Sequence, residues 1–264
     1  MHKLTKLVLS GTAAILCCGQ ASAAIEWTLT GTPSPGVTIA GYANTGNVGT
    51  ATQNHLNNGA IQTIQSAPMA SYSGGVGITN LDKCATSGST KCDRNEGVSP
   101  EHAIDNQERY EMALLTFTQA VELTKVKIGW KSNDSDISVL AYTGTGVPNT
   151  DIGAAVKSFV GLNYTQLVSN GWSFIGHYTN LSTTSAKTIN PLHITSSHWL
   201  IGAYNPLVVT PLASAASAAS STAQSYDYVK LVSVIGLMAA PEPGSVALVG
   251  LAVIGLLAVR ARAA

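Results

Sequence analysis

Apolar residues along this chain recur in short runs rich in Val, Ile, Thr, Tyr and Trp, separated by Gly, Asn, Ser and Pro. The runs predict strands over Ile25–Thr30, Val37–Tyr42, Met112–Phe117, Val121–Trp130, Ile137–Tyr142, Trp172–Tyr178, Trp199–Tyr204 and Tyr228–Leu237. In "VELTKVKIGW" Val121, Leu123, Val126, Ile128 and Trp130 are the apolar positions, and the slip at Thr124-Lys125 reads as a bulge. Such alternation turns one face of a strand to a core and the other to water. Many short strands at this spacing predict an all-β fold, a single β-sandwich over residues 24–237. Helical signals are few. "SPEHAIDN" has Ser99 as an N-cap with Pro100 behind it, and "NYTQLVSNG" ends at Gly171; each predicts a turn or two of helix. The low-complexity stretch Thr210–Ser225 predicts a disordered Ala/Ser-rich loop between two strands.

The two ends depart from this pattern. Lys3 and Lys6 precede an uncharged apolar run from Leu7 to Cys18, and Ala21-Ser22-Ala23 follows. That order predicts a secretory signal peptide over residues 1–23, cut by signal peptidase after Ala23. The apolar run is too short for a spanning helix, and Leu16 stands where lipoprotein processing at Cys17 wants a small residue. At the other end Gly244–Val259 carries no charge, and as a helix it is about 24 Å long, a short membrane span. Arg260 and Arg262 follow it, which predicts an orientation with the body outside and the tip inside.

Composition narrows the function of what lies between. Residues 24–240 hold 10 Lys+Arg against 13 Asp+Glu, a net charge of −3, so nothing suggests nucleic acid as a partner. Two cysteines remain, Cys84 and Cys92. In an exported chain, a pair this close predicts a disulfide that contributes roughly 2.5 kcal/mol. Ten of the 13 acidic residues fall between Asp82 and Asp136. A helical turn over "SPEHAIDN" would gather His102, Asp105 and Asn106, and Asp134 and Asp136 sit two apart at a strand entrance, both on one side. Asp and Asn in such loops first suggest caps on backbone amides in tight turns. The second reading is a structural Ca²⁺ held by Asp105, Asn106, Asp134 and Asp136.

Catalytic arrangements are thin. Asp134 or Asp136 opposite Glu108 or Glu111 would be a carboxylate pair for glycan hydrolysis. Ser99 with His102 has no nucleophile elbow, and His177, His193 and His198 form no zinc-binding pair on a helix. Trp130, Trp172 and Trp199 suit a core better than a sugar platform. No catalytic residue is therefore assigned.

Pro241-Glu242-Pro243, the apolar span, the arginines and the chain end come in an order that resembles the PEP-CTERM sorting signal of Gram-negative bacteria, over residues 241–264. The resemblance implies recognition of Pro241, Glu242 and Pro243 by an exosortase, transient anchoring in the inner membrane, and loss of the tail. "AIDN" ahead of "MALLTFTQAVELTKVKIGW" resembles the opening of galactose-binding-like jelly rolls, whose Ala-x-Asp turn often holds Ca²⁺. The longer run from Val98 to Leu237 is similar to exosortase-dependent surface proteins, for which no enzymatic activity is implied. The expectation is a non-enzymatic surface or extracellular-matrix protein, structural or adhesive in an exopolysaccharide or biofilm layer. The alternatives are a secreted carbohydrate-active hydrolase using the acidic cluster at 105–136, and an envelope protein whose tail is never cut.

Overall fold

A single strand organises the protein. In the computed structural model, which describes residues 23–46, 62–80, 99–107, 109–144, 159–208 and 226–238, strand β7 runs unbroken from Glu111 to Asn133. Fully extended, a strand from Glu111 to Ser132 would cover about 70 Å. Yet Glu111 Oε2 accepts the Asp105 N–H at 3.3 Å, and Tyr228, which is opposite Asp105, is also opposite Ser132. The strand therefore doubles back, and its turning point is the exposed pair Thr118-Gln119.

Around β7 lie β1 (Ile25–Thr28), β2 (Val37–Gly46), β3 (Thr63–Ala67), β4 (Met69–Tyr72), β5 (Gly75–Ile78), β6 (Ile104–Asp105), β8 (Ile137–Tyr142), β9 (Trp172–Tyr178), β10 (Lys187–Thr188), β11 (Ser196–Ala203) and β12 (Asp227–Met238). All belong to one open sheet, and every ladder is antiparallel. The first half of β7 pairs with β2 and β11, and the second half with β12 and β10. The protein is all-β, as its alternation predicts. Helical structure among the described residues amounts to short 3-10 turns at Tyr164–Gln166, Val168–Asn170 and Pro206–Val208. The second of these stops at Gly171, whose φ of 92° suits a residue without a Cβ.

The doubling-back explains the run "MALLTF". Ala113, Leu115 and Phe117 point into a large core shared with Trp27, Leu123, Val126, Ile128, Trp199 and Val234. Met112 and Leu114 point the other way, into a second core with Tyr42, Phe159, Tyr164, Leu167 and Trp172. A strand covered on both faces reads as continuously apolar. Beyond the bend only one face is covered, and alternation returns. The predicted bulge is present: Ile235 is opposite Lys125 and Gly236 opposite Leu123, which leaves Thr124 as the extra residue. Its hydroxyl donates to the Ile235 carbonyl at 3.2 Å.

Two expectations are corrected. Ser99–His102 form turns and no helix, and Ile104-Asp105 pairs with β12 as β6. Long-range pairing here outweighs the local capping signal. Trp172 and Trp199 are buried, but Trp130 is half-exposed and lies under the Lys230 ammonium. The predicted leader over 1–23 (all but its last residue), Cys84 and Cys92, the loop at 210–225, Pro241, Glu242, Pro243, the segment 244–259 and Arg260 and Arg262 lie outside the described residues. Among the described residues no helix is long and apolar enough to cross a membrane.

Candidate cation site at the start of β12

Asp134 and Asp136 flank the turn between β7 and β8, and Asp227 opens β12. Asn133, in the left-handed region at φ 52°, ends β7, and Asp134 then bridges to Asp227 in parallel fashion. This brings one carboxylate oxygen from each of Asp134, Asp136 and Asp227 within 4.8 Å of the others. Asp136 and Asp227 are buried and Asp134 is half-buried.

The backbone holds these carboxylates in place. Asp227 Oδ1 accepts the Asp136 N–H at 2.8 Å, Asp136 Oδ1 accepts the Asn180 N–H at 2.8 Å, and Asp134 Oδ1 accepts the Ser135 N–H at 2.8 Å. Asn106 clamps Asp227 from both sides. Its Oδ1 accepts the Asp227 N–H at 2.8 Å, while its Nδ2 donates to Asp227 Oδ2 at 2.8 Å and to the Tyr204 carbonyl at 3.0 Å. Burial, then the charges of Asp136 and Asp134, push the Asp227 carboxyl up to about 7, against the lowering effect of its hydrogen bonds. Burial and Asp134 also raise Asp136, although the Asn180 N–H and Lys187 oppose this. The Tyr204 hydroxyl is raised by burial and by the same aspartates.

Three carboxylates this close cannot all stay ionised without help. They either hold a proton or hold a cation, and an all-oxygen set of this kind suits a hard cation such as Ca²⁺. Of the four residues read from sequence, Asp134 and Asp136 meet here, and Asn106 is attached to the cluster through Asp227. Asp105 is not among the three. It sits in β6, where its Oδ1 accepts the Gln107 N–H at 2.9 Å. Its side chain follows the strand and not the expected helical turn. Asp227 was not legible as a ligand, because its partners lie 91 and 121 residues away in sequence. His102 also lies apart, with Nε2 2.8 Å from Lys230 Nζ. Glu111 binds the Asp105 backbone, and Glu108 lies outside the described residues.

Two buried histidines have no place in the cluster. His177 Nδ1 meets Ser138 Oγ at 2.9 Å, and burial pulls the ring down to about 4. His198 Nδ1 meets Ser197 Oγ at 2.9 Å and is lowered by burial too.

No curated protein and no solved structure is similar to the chain. One protein-family model matches, the PEP-CTERM protein-sorting motif, over residues 239–263. That match covers the segment whose Pro-Glu-Pro, apolar run and arginines the sequence brings together. The chain thus carries at its C-terminus the PEP-CTERM sorting motif, the mark of an exosortase-sorted extracellular surface protein.

Proposed function

We propose that the folded body is a non-enzymatic structural or adhesive module of the extracellular matrix. It is delivered to an exopolysaccharide or biofilm layer after an N-terminal leader is removed by signal peptidase and the tail by an exosortase. In this reading the doubled-over sheet is a β-sandwich of jelly-roll or galactose-binding-like type, and a Cys84–Cys92 disulfide closes a short loop. The supporting observation is the Asp134–Asp136–Asp227 cluster, built on backbone hydrogen bonds that join the β7–β8 turn, Asn180 and the start of β12. Ca²⁺ there is a clip between segments distant in sequence, and its role is to keep the module rigid outside the cell. All three carboxylates are taken up in this clip, which favours a structural role over glycan hydrolysis. The test is thermal unfolding of the secreted body in chelator and in Ca²⁺, with glycan turnover assayed beside it. Stabilisation by Ca²⁺ without turnover supports the proposal; turnover lost in Asp136→Asn with the fold intact would establish the hydrolase.

A further inference from the structure

The ladder between β1 and β12 fixes where the ends of the folded body lie. Ile25 is opposite Gly236 and Trp27 opposite Val234, so the start of β1 neighbours the end of β12. The sorting motif begins at residue 239, directly after Met238, the last residue of β12. Only five residues separate Met238 from Gly244, where the apolar run starts. At a maximum of about 3.6 Å per residue, Gly244 lies within about 22 Å of Met238. The polar layer on one side of a bilayer is itself about 5–8 Å thick. While the tail is in the membrane, the end of β12 is held within about 17 Å of the membrane surface.

The residues around that end fit the position. Leu192 is the most exposed large apolar side chain among the described residues, at 61%. Next to it, His193 Nδ1 lies 2.6 Å from Glu122 Oε1, and Glu122 is opposite Leu237. Gln119, at the bend of β7, reaches Met238 Sδ at 3.6 Å, and Thr118 and Gln119 are exposed and uncharged. The aspartate cluster is at the other end of β12, eleven residues from Met238 and up to about 36 Å along the strand.

We infer that the uncut protein docks on the lipid surface through the β1–β12 end, with Leu192 at the headgroup–acyl boundary and the aspartate cluster at the far pole. One apolar side chain binds lipid weakly, and the short tether supplies the effective concentration that makes the contact form. The same end carries Ala24, so the first residue after the leader and Met238, the last before the sorting motif, lie at one end of the sheet. The inference rests on the sorting reading of the tail.

The test places the photocrosslinker p-benzoylphenylalanine at Leu192 or at Tyr226 of the full chain. Tyr226 is 42% exposed and lies at the opposite end of β12. Each variant is produced in native cells lacking the exosortase and irradiated, and lipid adducts are read by mass spectrometry. Lipid adducts at 192 and none at 226 are expected. No lipid adduct at 192, adducts to protein alone, or equal lipid adducts at both positions would overturn the docking. The intact mass of the same variants from cells with and without the exosortase reads the sorting account separately. That account predicts loss of the tail only where the exosortase is present, and a chain ending at Ala264 in both would overturn it and leave the docking result standing.

Discussion

Asp227 Oδ1 accepts the backbone N–H of Asp136 at 2.8 Å, and this bond ties the first residue of β12 to the entrance of β8. It also places two buried carboxylates against each other, with Asp134 as the third. The cluster therefore gathers three carboxylates whose charge the fold must balance.

Asp134→Asn tests that balance directly. The amide oxygen can still accept the Ser135 N–H, while the charge that raises Asp136 and Asp227 is gone. In chelator at pH 8 the variant should be more stable than the wild type by about 1 kcal/mol, the scale of a partly screened charge pair. The Ca²⁺-dependent stabilisation, about 2.7 kcal/mol at a hundredfold excess over Kd, should be lost. Calorimetry in chelator and in Ca²⁺ reads both effects.

The pH dependence has a definite sign. The folded-state value for Asp227, about 7, lies above its ordinary 3.8, so the folded protein retains a proton that the unfolded chain has released. That contribution is fully present below the ordinary value and is lost as pH rises through about 7. Asp136 shifts in the same direction. His177 acts oppositely: held neutral down to about 4 against an ordinary 6.5, it removes stability as pH falls through that window. From pH 6.5 to 8 Asp227 removes about 0.8 kcal/mol and His177 returns about 0.4 kcal/mol, so stability in chelator should fall by about 0.4 kcal/mol from the two together. Bound Ca²⁺ displaces the proton and should abolish the fall, which unfolding midpoints at the two pH values will show.

Phe117 packs edge-on against Trp27, with centroids 5.0 Å apart, just before β7 turns back. Phe117→Ala should cost about 3–5 kcal/mol and lower the urea midpoint without affecting Ca²⁺ binding in the protein that remains folded.

Lys230 is buried, with Nζ 4.5 Å from the Trp130 ring centroid, 5.1 Å from that of Tyr72 and 2.8 Å from His102 Nε2. Burial lowers its pKa. Lys230→Met keeps the stem between the rings and removes a charge that is costly to bury. Its stability should stay within about 1 kcal/mol of wild type. Lys230→Ala also empties the space and should cost about 2–4 kcal/mol. Denaturant titrations of the two variants separate packing from charge.

Much of the sheet was legible because burial leaves a mark on local pattern. Ile137–Tyr142 and Trp172–Tyr178 have the predicted bounds, and the slip at Thr124 is the observed bulge. The strands Thr63–Ala67, Met69–Tyr72 and Gly75–Ile78 were not read, because small residues and glycine carry little pattern. Glycine serves two of them for reasons visible only in three dimensions: Gly74, at φ 88°, lies in the tight turn between β4 and β5, and a Cβ on Gly77 would meet the His102 carbonyl. The site was half-legible. Asp134 and Asp136 are close in sequence and share a strand entrance, whereas Asp227 reaches them only through the β12–β7 ladder.

The measurement that bears most directly on the account is the intact mass of the protein recovered outside the native cells. The account predicts a species that begins at Ala24 and ends near Pro241–Pro243, with the apolar tail removed. A species that runs to Ala264, or no extracellular species at all, would contradict it.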